Sequence, residues 1–376
     1  MNRATAFTRR RWLGAAAGSL LGVGASPALL GCGPSRPPRL ALVAGLTGPT
    51  SDIGVALRNG ALLAVAQSNP AVELVEFDDR QRPDQAAELA DAVQAAGCVA
   101  VIGPATSSMA AGWIPQAERR KLLSVSPTVT SHDFAGQDDH FFRICSTTRQ
   151  YARHSALHAV RRHGWRRFAL VRDDSNHAYT RSWSEHFIAA VRGEGAVVVA
   201  ETAYGPGTPH DGAEQALAAA LASGPETLVI VANARDTALL AQAITHHPKR
   251  PALIAAEWAA TDQLILGGGR AVEGVLVTQF FDRDSQAPAY LAFAQAFQTR
   301  FGRMPGFAET AAYDATRIVL QALAERRRDE PLKATLLRLR RFDGVQNAIV
   351  FDDYGDCDRP LYVTEVRQQR FMTVPA

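Results

Sequence analysis

The stretch Val99 to Ser108, VAVIGPATSS, runs four apolar residues into Gly103-Pro104 and then into Ala105, Thr106, Ser107 and Ser108. It reads as a buried strand, a tight loop and a helix start near Ser107. A helix start offers free backbone N–H groups and a partial positive charge, and both suit an anion. The loop carries no Lys, as a phosphate loop would, and no Gly-x-Ser-x-Gly, as a hydrolase elbow would. A second hydroxyl-bearing turn, SPTVTS, supplies Thr128 and Thr130, and a strand-end acid, Glu257, follows the apolar run in LIAAEWAA beside Trp258. Neutral hydroxyls hold a carboxylate directionally, and a strand-end acid offers an ammonium two acceptor oxygens. The same residues also read more plainly: Ser107 and Ser108 as helix caps, Thr128 and Thr130 as turn residues after Pro127, Glu257 as an exposed loop acid and Trp258 as a packing side chain.

Other chemistry-bearing residues do not assemble. His154 and His158 have the spacing of one helix face, but no third metal ligand lies near them, so no metal and no other cofactor is expected. Asp78 and Asp79 are adjacent and would point to opposite sides of a strand, which argues against shared acid–base work. With no nucleophile–base arrangement in view, an enzyme is not expected. A net charge of +3 over 376 residues is too small and too dispersed to point to nucleic acid.

The first 32 residues read as a targeting segment rather than as fold. TRRRWLG, Thr8 to Gly14, resembles a twin-arginine export motif, and LLGC, Leu29 to Cys32, resembles a bacterial lipobox. On that reading Cys32 becomes a lipid-bearing N-terminus, residues 33–38 a tether, and the protein a periplasmic or cell-envelope lipoprotein held to the membrane by its anchor alone. Cys98, Cys145 and Cys357 then remain, and three cysteines allow at most one disulfide.

From Arg39 onward short apolar strands alternate with helical stretches: RLALVAGL, VELVEF, CVAVIG and LLSVSP in a first series, then RRFALVRDD, AVVVAETAY, TLVIVAN and PALIAAE in a second. Pro115 is expected to break or kink the helix it falls in. The pattern predicts α/β lobes built on parallel sheets flanked by helices. Ligands of such sheets sit beyond the carboxyl ends of the strands, where most of the polar residues above fall.

Taken together, GLTGPTSDIG, VELVEFDDRQRPDQAAELADAV, VAVIGPATSS followed by SVSPTVTS, and FGRMPGFAETAAYDAT resemble the extracytoplasmic solute-binding proteins of the leucine/isoleucine/valine-binding family, the type I periplasmic binding proteins that serve ABC importers. The resemblance implies two lobes joined by three hinge crossovers, with residues 39–147 and 281–342 in one and 148–280 and 343–376 in the other. It implies a monomer that captures an amino acid, apolar or branched-chain, and delivers it to an ABC permease. Ser107 would hold the ligand carboxylate, Thr130 would add a hydroxyl and backbone groups, and Thr128 main-chain contacts. Glu257 would take the α-ammonium and Tyr179 would be the cleft aromatic, with Ile53, Ala105, Thr106, Asn233 and Trp258 lining the pocket. The same fold also serves ligandless envelope lipoproteins that contact other proteins. Joint presence of Ser107, Thr130 and Glu257 argues for a ligand, because a cleft without one has no need of an anion cradle facing an acid.

Overall fold

Each apolar run in the first half of the chain becomes a short strand, and the amphipathic stretch after it folds back as a helix. The computed structural model describes residues 37–48, 51–206 and 212–374. In the first series, β1 (Arg39–Ala44), β2 (Glu73–Asp78), β3 (Cys98–Ile102), β4 (Ser124–Ser126) and β5 (Phe141–Arg143) form one parallel sheet in the order β2-β1-β3-β4-β5. Its connecting helices are α1 (Asp52–Ala66), α2 (Ala86–Ala95) and α3 (Ser107–Arg120). The second series runs α4 (Thr148–His163), β6 (Arg167–Asp173), α5 (His177–Gly193), β7 (Val197–Tyr204), α6 (Ala213–Ala222), β8 (Thr227–Val231), α7 (Ala234–Ile244), β9 (Ala252–Ala255), α8 (Asp262–Gly268) and β10 (Leu276–Gln279). Then come α9 (Pro288–Phe301), α10 (Phe307–Glu325), α11 (Leu332–Leu339), the short pair β11 (Arg341–Asp343) and β12 (Ala348–Val350), and the antiparallel hairpin β13 (Tyr362–Arg367) and β14 (Arg370–Thr373) that edges the second sheet.

The second sheet is ordered β14-β13-β10-β9-β8-β6-β7, with β6 to β10 parallel. Strand order therefore reverses between β1 and β3 in one sheet and between β6 and β8 in the other. At each reversal the following helices leave on opposite faces and open a crevice at the carboxyl ends. All five residues of β8 are buried, as a strand covered on both faces requires. One apolar cluster, including Leu40, Ile102, Tyr151, Trp183 and Val319, reaches from the first sheet into the second.

The chain passes between the sheets three times: between Arg143 and Thr148, between Gln279 and Pro288, and between Val350 and Tyr362. Residues after Phe342, expected with the second lobe, start on the first instead. Phe351 packs edge-on to Phe142 at 5.2 Å, and the Val345 N–H donates to Asp314 Oδ1 at 3.0 Å. The physical reason is the β11–β12 pair, which holds this stretch beside α10 and α11 before it crosses.

Two glycines set close approaches. Gly103, at φ +124°, brings the loop after β3 against β1, where a Cβ would lie 2.1 Å from the Val43 carbonyl oxygen. Gly60 lets α1 seat on α10, where a Cβ would lie 2.2 Å from the Glu309 carbonyl oxygen. Of the break or kink expected at Pro115, the break does not occur: α3 continues to Arg120. The carbonyl that Pro115 leaves without its helical donor belongs to Ala111, an exposed residue. Cys98, Cys145 and Cys357 are all free thiols, so the single disulfide that the count allowed does not form. Thr8 to Gly14, Cys32 and the tether up to Arg36 lie outside the described residues. Among the described residues no helix is long and apolar enough to cross a membrane.

Candidate functional site

The loops at the carboxyl ends of both sheets meet around one cavity with about 580 Å³ of atom-free space, its open mouth included. Ala105, Thr106 and Ser107 enter it from the β3–α3 turn, Ile53 from the start of α1, and Thr128 and Thr130 from the loop after β4. From the second sheet come Tyr179 on α5 and Glu257 and Trp258 after β9. Nine of the ten side chains assigned to the ligand or its pocket on sequence grounds thus line a single cavity. Asn233 does not. Its carbonyl oxygen caps α7 by accepting from the Asp236 N–H at 2.9 Å, and its amide donates to Asp173 Oδ2 at 3.3 Å. Helix capping occupies that side chain and turns it away from the cavity.

The start of α3 is partly satisfied from within. Thr106 is the N-cap, its hydroxyl accepting from the Met109 N–H at 3.2 Å. Ser108 N–H donates to the Asn176 side-chain oxygen at 3.0 Å, and Ser108 Oγ accepts from Ala178 N–H at 3.2 Å, so this turn is tied to the β6–α5 loop of the other lobe. Ser107 Oγ accepts from Ser131 N–H at 3.2 Å, which leaves its proton free. Thr128 Oγ1 donates to the Ala105 carbonyl at 2.7 Å. The backbone N–H groups of Ser107, Thr128 and Thr130 have no acceptor among the described residues. Those three N–H groups and the Ser107 hydroxyl make a donor set of the kind that receives a carboxylate.

Glu257 faces this set. Its Oε2 accepts from Trp183 Nε1 at 2.9 Å, and its Oε1 from the Thr130 hydroxyl at 3.4 Å, a long bond that joins the two lobes. Trp183 is held in place by stacking on Phe187 at 5.2 Å. Burial pushes the Glu257 carboxyl up to about 7, against its own backbone N–H and the Trp183, Tyr179 and Thr130 donors, which pull it down. Tyr179 is buried beside Glu257, and its ring meets Trp258 edge-on at 5.7 Å. Cys145 also lines the cavity, but its thiol donates to the Pro127 carbonyl at 2.7 Å and burial raises it to about 12, so it stays a neutral packing group. Among the described residues no three His, Cys, Asp or Glu side chains gather as metal ligands.

Sequence reasoning missed Asn176, Tyr151, Gln279, Phe280 and Phe307, which complete the wall. Asn176 sits in DDSNHAY, a strand-end segment, and Gln279 and Phe280 end the run GVLVTQFF, so the strand-end rule contained the signal for all three. Tyr151, inside α4, and Phe307, at the start of α10, carry no such mark.

Comparison with known proteins agrees with this geometry. A family model described as periplasmic binding protein matches residues 37–370. The chain is 24% identical over 336 residues to the Leu/Ile/Val-binding protein homolog 3 of Brucella melitensis, covering 86% of this chain and 89% of that protein. In structure it resembles the leucine-binding protein LivK of Thermotoga maritima, with a TM-score of 0.82 at 23% identity over 90% of this chain and 98% of that one. It also resembles LivJ of Streptococcus pneumoniae in complex with isoleucine, with a TM-score of 0.78 at 17% identity over 90% of this chain and 99% of that one. Its α/β lobes, the crevice between them and the match over nearly the whole folded body place the chain in the leucine/isoleucine/valine-binding family of type I periplasmic binding proteins.

Proposed function

We propose that the chain captures an apolar amino acid between its lobes, as an extracytoplasmic monomer, and delivers it to an ABC permease. One observation carries this reading: donors at the Ser107, Thr128 and Thr130 turns, without acceptors among the described residues, face a half-buried carboxylate, Glu257, across one cavity. An α-amino acid presents a carboxylate and an ammonium one carbon apart, and the two sets match that dipole. Because the donors belong to one sheet and the acid to the other, the ligand binds the closed form more tightly than the open one. That difference is what a ligand-driven closure requires. Charge-assisted hydrogen bonds contribute roughly 1.5–3 kcal/mol each, so four or five, less ordering costs, reach micromolar affinity or better. The apolar remainder of the wall, with Ile53, Tyr151 and Phe280, suits an aliphatic side chain. The relatives named for leucine, isoleucine and valine support that choice.

A thermal-shift and calorimetric screen against valine, leucine, isoleucine and phenylalanine tests the reading, since a ligand that binds only the folded state raises its melting temperature. The double variant Ser107→Ala, Thr130→Ala removes two hydroxyls from the cradle and is expected to weaken the best ligand by about 2 kcal/mol or more, beside a loss of unliganded stability of about 1–3 kcal/mol because the buried Ser131 N–H loses its acceptor. Equal affinity in wild type and double variant would discard the cradle. Export and anchoring rest on the twin-arginine-like and lipobox-like segments. Cys32→Ala is expected to move the protein from the membrane fraction to the soluble one, and continued co-sedimentation with membranes would discard lipidation.

A further inference from the structure

A groove with about 1650 Å³ of atom-free space, its open side included, runs over the first lobe and shares no residue with the ligand cavity. It lies among α1, α9 and α10, and Pro38, Pro70, Val72, Phe293, Leu320 and Leu323 give it an apolar lining. Among the described residues no Asp or Glu lines it. Arg317 and Arg326 do, and Arg327 and Arg328 continue the run beyond α10; all four are exposed. We infer that this groove docks on an anionic membrane surface, with the arginines on phospholipid headgroup phosphates and the apolar lining on the upper part of an acyl chain. The inference rests on the reading of Cys32 as the lipid-bearing terminus and adds a second membrane contact to that anchor.

Charge is concentrated here. The whole chain carries +3, yet from Arg317 to Arg341 eight Arg and Lys stand against three Asp and Glu. Within that stretch Lys333, Arg338 and Arg340 are paired with acids, whereas Arg317, Arg326 and Arg327 have no carboxylate within 4.0 Å among the described residues. The acids nearest in sequence to the groove are engaged: Glu73 pairs with Arg39 at 2.7 Å, and Glu325 accepts from the Gln321 amide at 2.8 Å. The Arg317 guanidinium lies 5.7 Å from the centre of the Tyr313 ring, and the Tyr313 hydroxyl donates to Gln67 Oε1 at 2.6 Å, which ties α10 to the end of α1 within the groove. Arginine pairs an apolar stem with a cationic head, which suits the boundary between headgroup and acyl chain. Reach selects the occupant. Cys32 stands six residues before Pro38, so a lipid on Cys32 lies within roughly 20 Å of the groove even on a fully extended tether. A bilayer is therefore the anionic partner that the chain's own anchor brings to this face. Each Arg near an anionic surface favours the bound form by about fivefold. Four of them do not hold an unanchored chain on washed membranes, so Cys32→Ala still leaves the membrane fraction. The lining belongs to the first lobe alone, and docking leaves the second lobe free to close on a ligand.

The test takes the mature chain from membranes, establishes by mass whether Cys32 carries lipid, and reconstitutes the chain in vesicles of phosphatidylcholine alone or with about one third phosphatidylglycerol, where amide hydrogen exchange is followed. Residues 68–72 and 317–328 are expected to exchange about tenfold more slowly on the anionic vesicles, while α7 of the second lobe exchanges equally on both. The double variant Arg317→Gln, Arg326→Gln should abolish the difference and keep the ligand-induced gain in melting temperature of wild type. Glycerol 3-phosphate added to phosphatidylcholine vesicles should not reproduce the slowing; if it does, the groove binds a soluble phosphate ester and membrane docking is overturned. A Cys32 without lipid overturns the anchor and the docking with it. A lipidated chain whose two segments exchange equally on both vesicles, or whose difference survives in the double variant, overturns the docking alone.

Discussion

Glu257→Gln is expected to weaken a zwitterionic ligand by about 2–5 kcal/mol, at least thirtyfold, because it removes one charge of a buried, hydrogen-bonded charge pair while leaving the ammonium desolvated. The fold should not suffer. Gln keeps an oxygen to accept from Trp183 Nε1, now 2.9 Å from the acid, and it removes a carboxylate that burial disfavours. The pH dependence gives the sharper signature. With the empty-site carboxyl at about 7, affinity for the ammonium follows the ionised fraction and falls about tenfold for each pH unit below that value. The empty protein moves the other way. A carboxyl raised above its ordinary 4.5 keeps its proton in the folded state where the unfolded chain has released it, so this group's contribution to stability declines as pH rises from 4.5 to about 7. The ligand-induced gain in melting temperature should therefore grow across the same window in which the unliganded protein loses stability. Calorimetry in buffers of different ionisation heat should detect proton release near pH 7 in wild type and none in Glu257→Gln. A pH-independent affinity in wild type would remove Glu257 from the ammonium site.

Strand-end logic located most of this site because parallel sheets expose loops, not strands, to a ligand. Ser107, Thr130 and Glu257 could be read from their places after apolar runs. Asn233 obeys the same rule and still misses the cavity. It follows β8, one of the strands at a reversal point, but its side chain is taken by the first turn of α7. A single sequence does not reveal which strand-end polar residues are spent on capping, since Ser, Thr and Asn serve both purposes. Nor does it reveal side chains brought in by the lobes' mutual packing. Tyr151 reaches the cavity from inside α4, and Phe307 from a helix more than 150 residues later in the chain. Periodicity marks both as buried but not as facing a ligand. The misplaced stretch after Phe342 has a similar cause: its position depends on the β11–β12 pairing and on Asp314, a partner about 30 residues away.

The largest stability effect should come from a charge pair behind the cavity wall. Arg359 and Asp314 have fully buried side chains and approach to 3.8 Å, and the guanidinium lies 4.6 Å from the centre of the Phe280 ring, which lines the cavity. Arg359 sits on the last passage between lobes, where its N–H donates to Ser146 Oγ at 2.8 Å on the first passage. Asp314 belongs to α10 and accepts from Val345 N–H at 3.0 Å. Asp314→Ala leaves a guanidinium buried without its counter-charge and is expected to cost about 3–5 kcal/mol in denaturant unfolding. The double variant Asp314→Leu, Arg359→Met removes both charges and should recover most of that loss, since an apolar pair of similar volume avoids desolvating either ion. Burial lifts the Asp314 carboxyl to about 6, with Arg359 the chief opposing influence. Its contribution to stability therefore declines as pH rises from 3.8 to about 6 and is flat above. In Arg359→Met the opposing charge is gone, the carboxyl rises further, and the declining window should extend above pH 6. Because the guanidinium backs the Phe280 ring, the same variant should also weaken an apolar ligand, though far less than Glu257→Gln does. A loss below about 1 kcal/mol in Asp314→Ala would mean that the pair is hydrated rather than buried, and that Phe280 is positioned by packing alone.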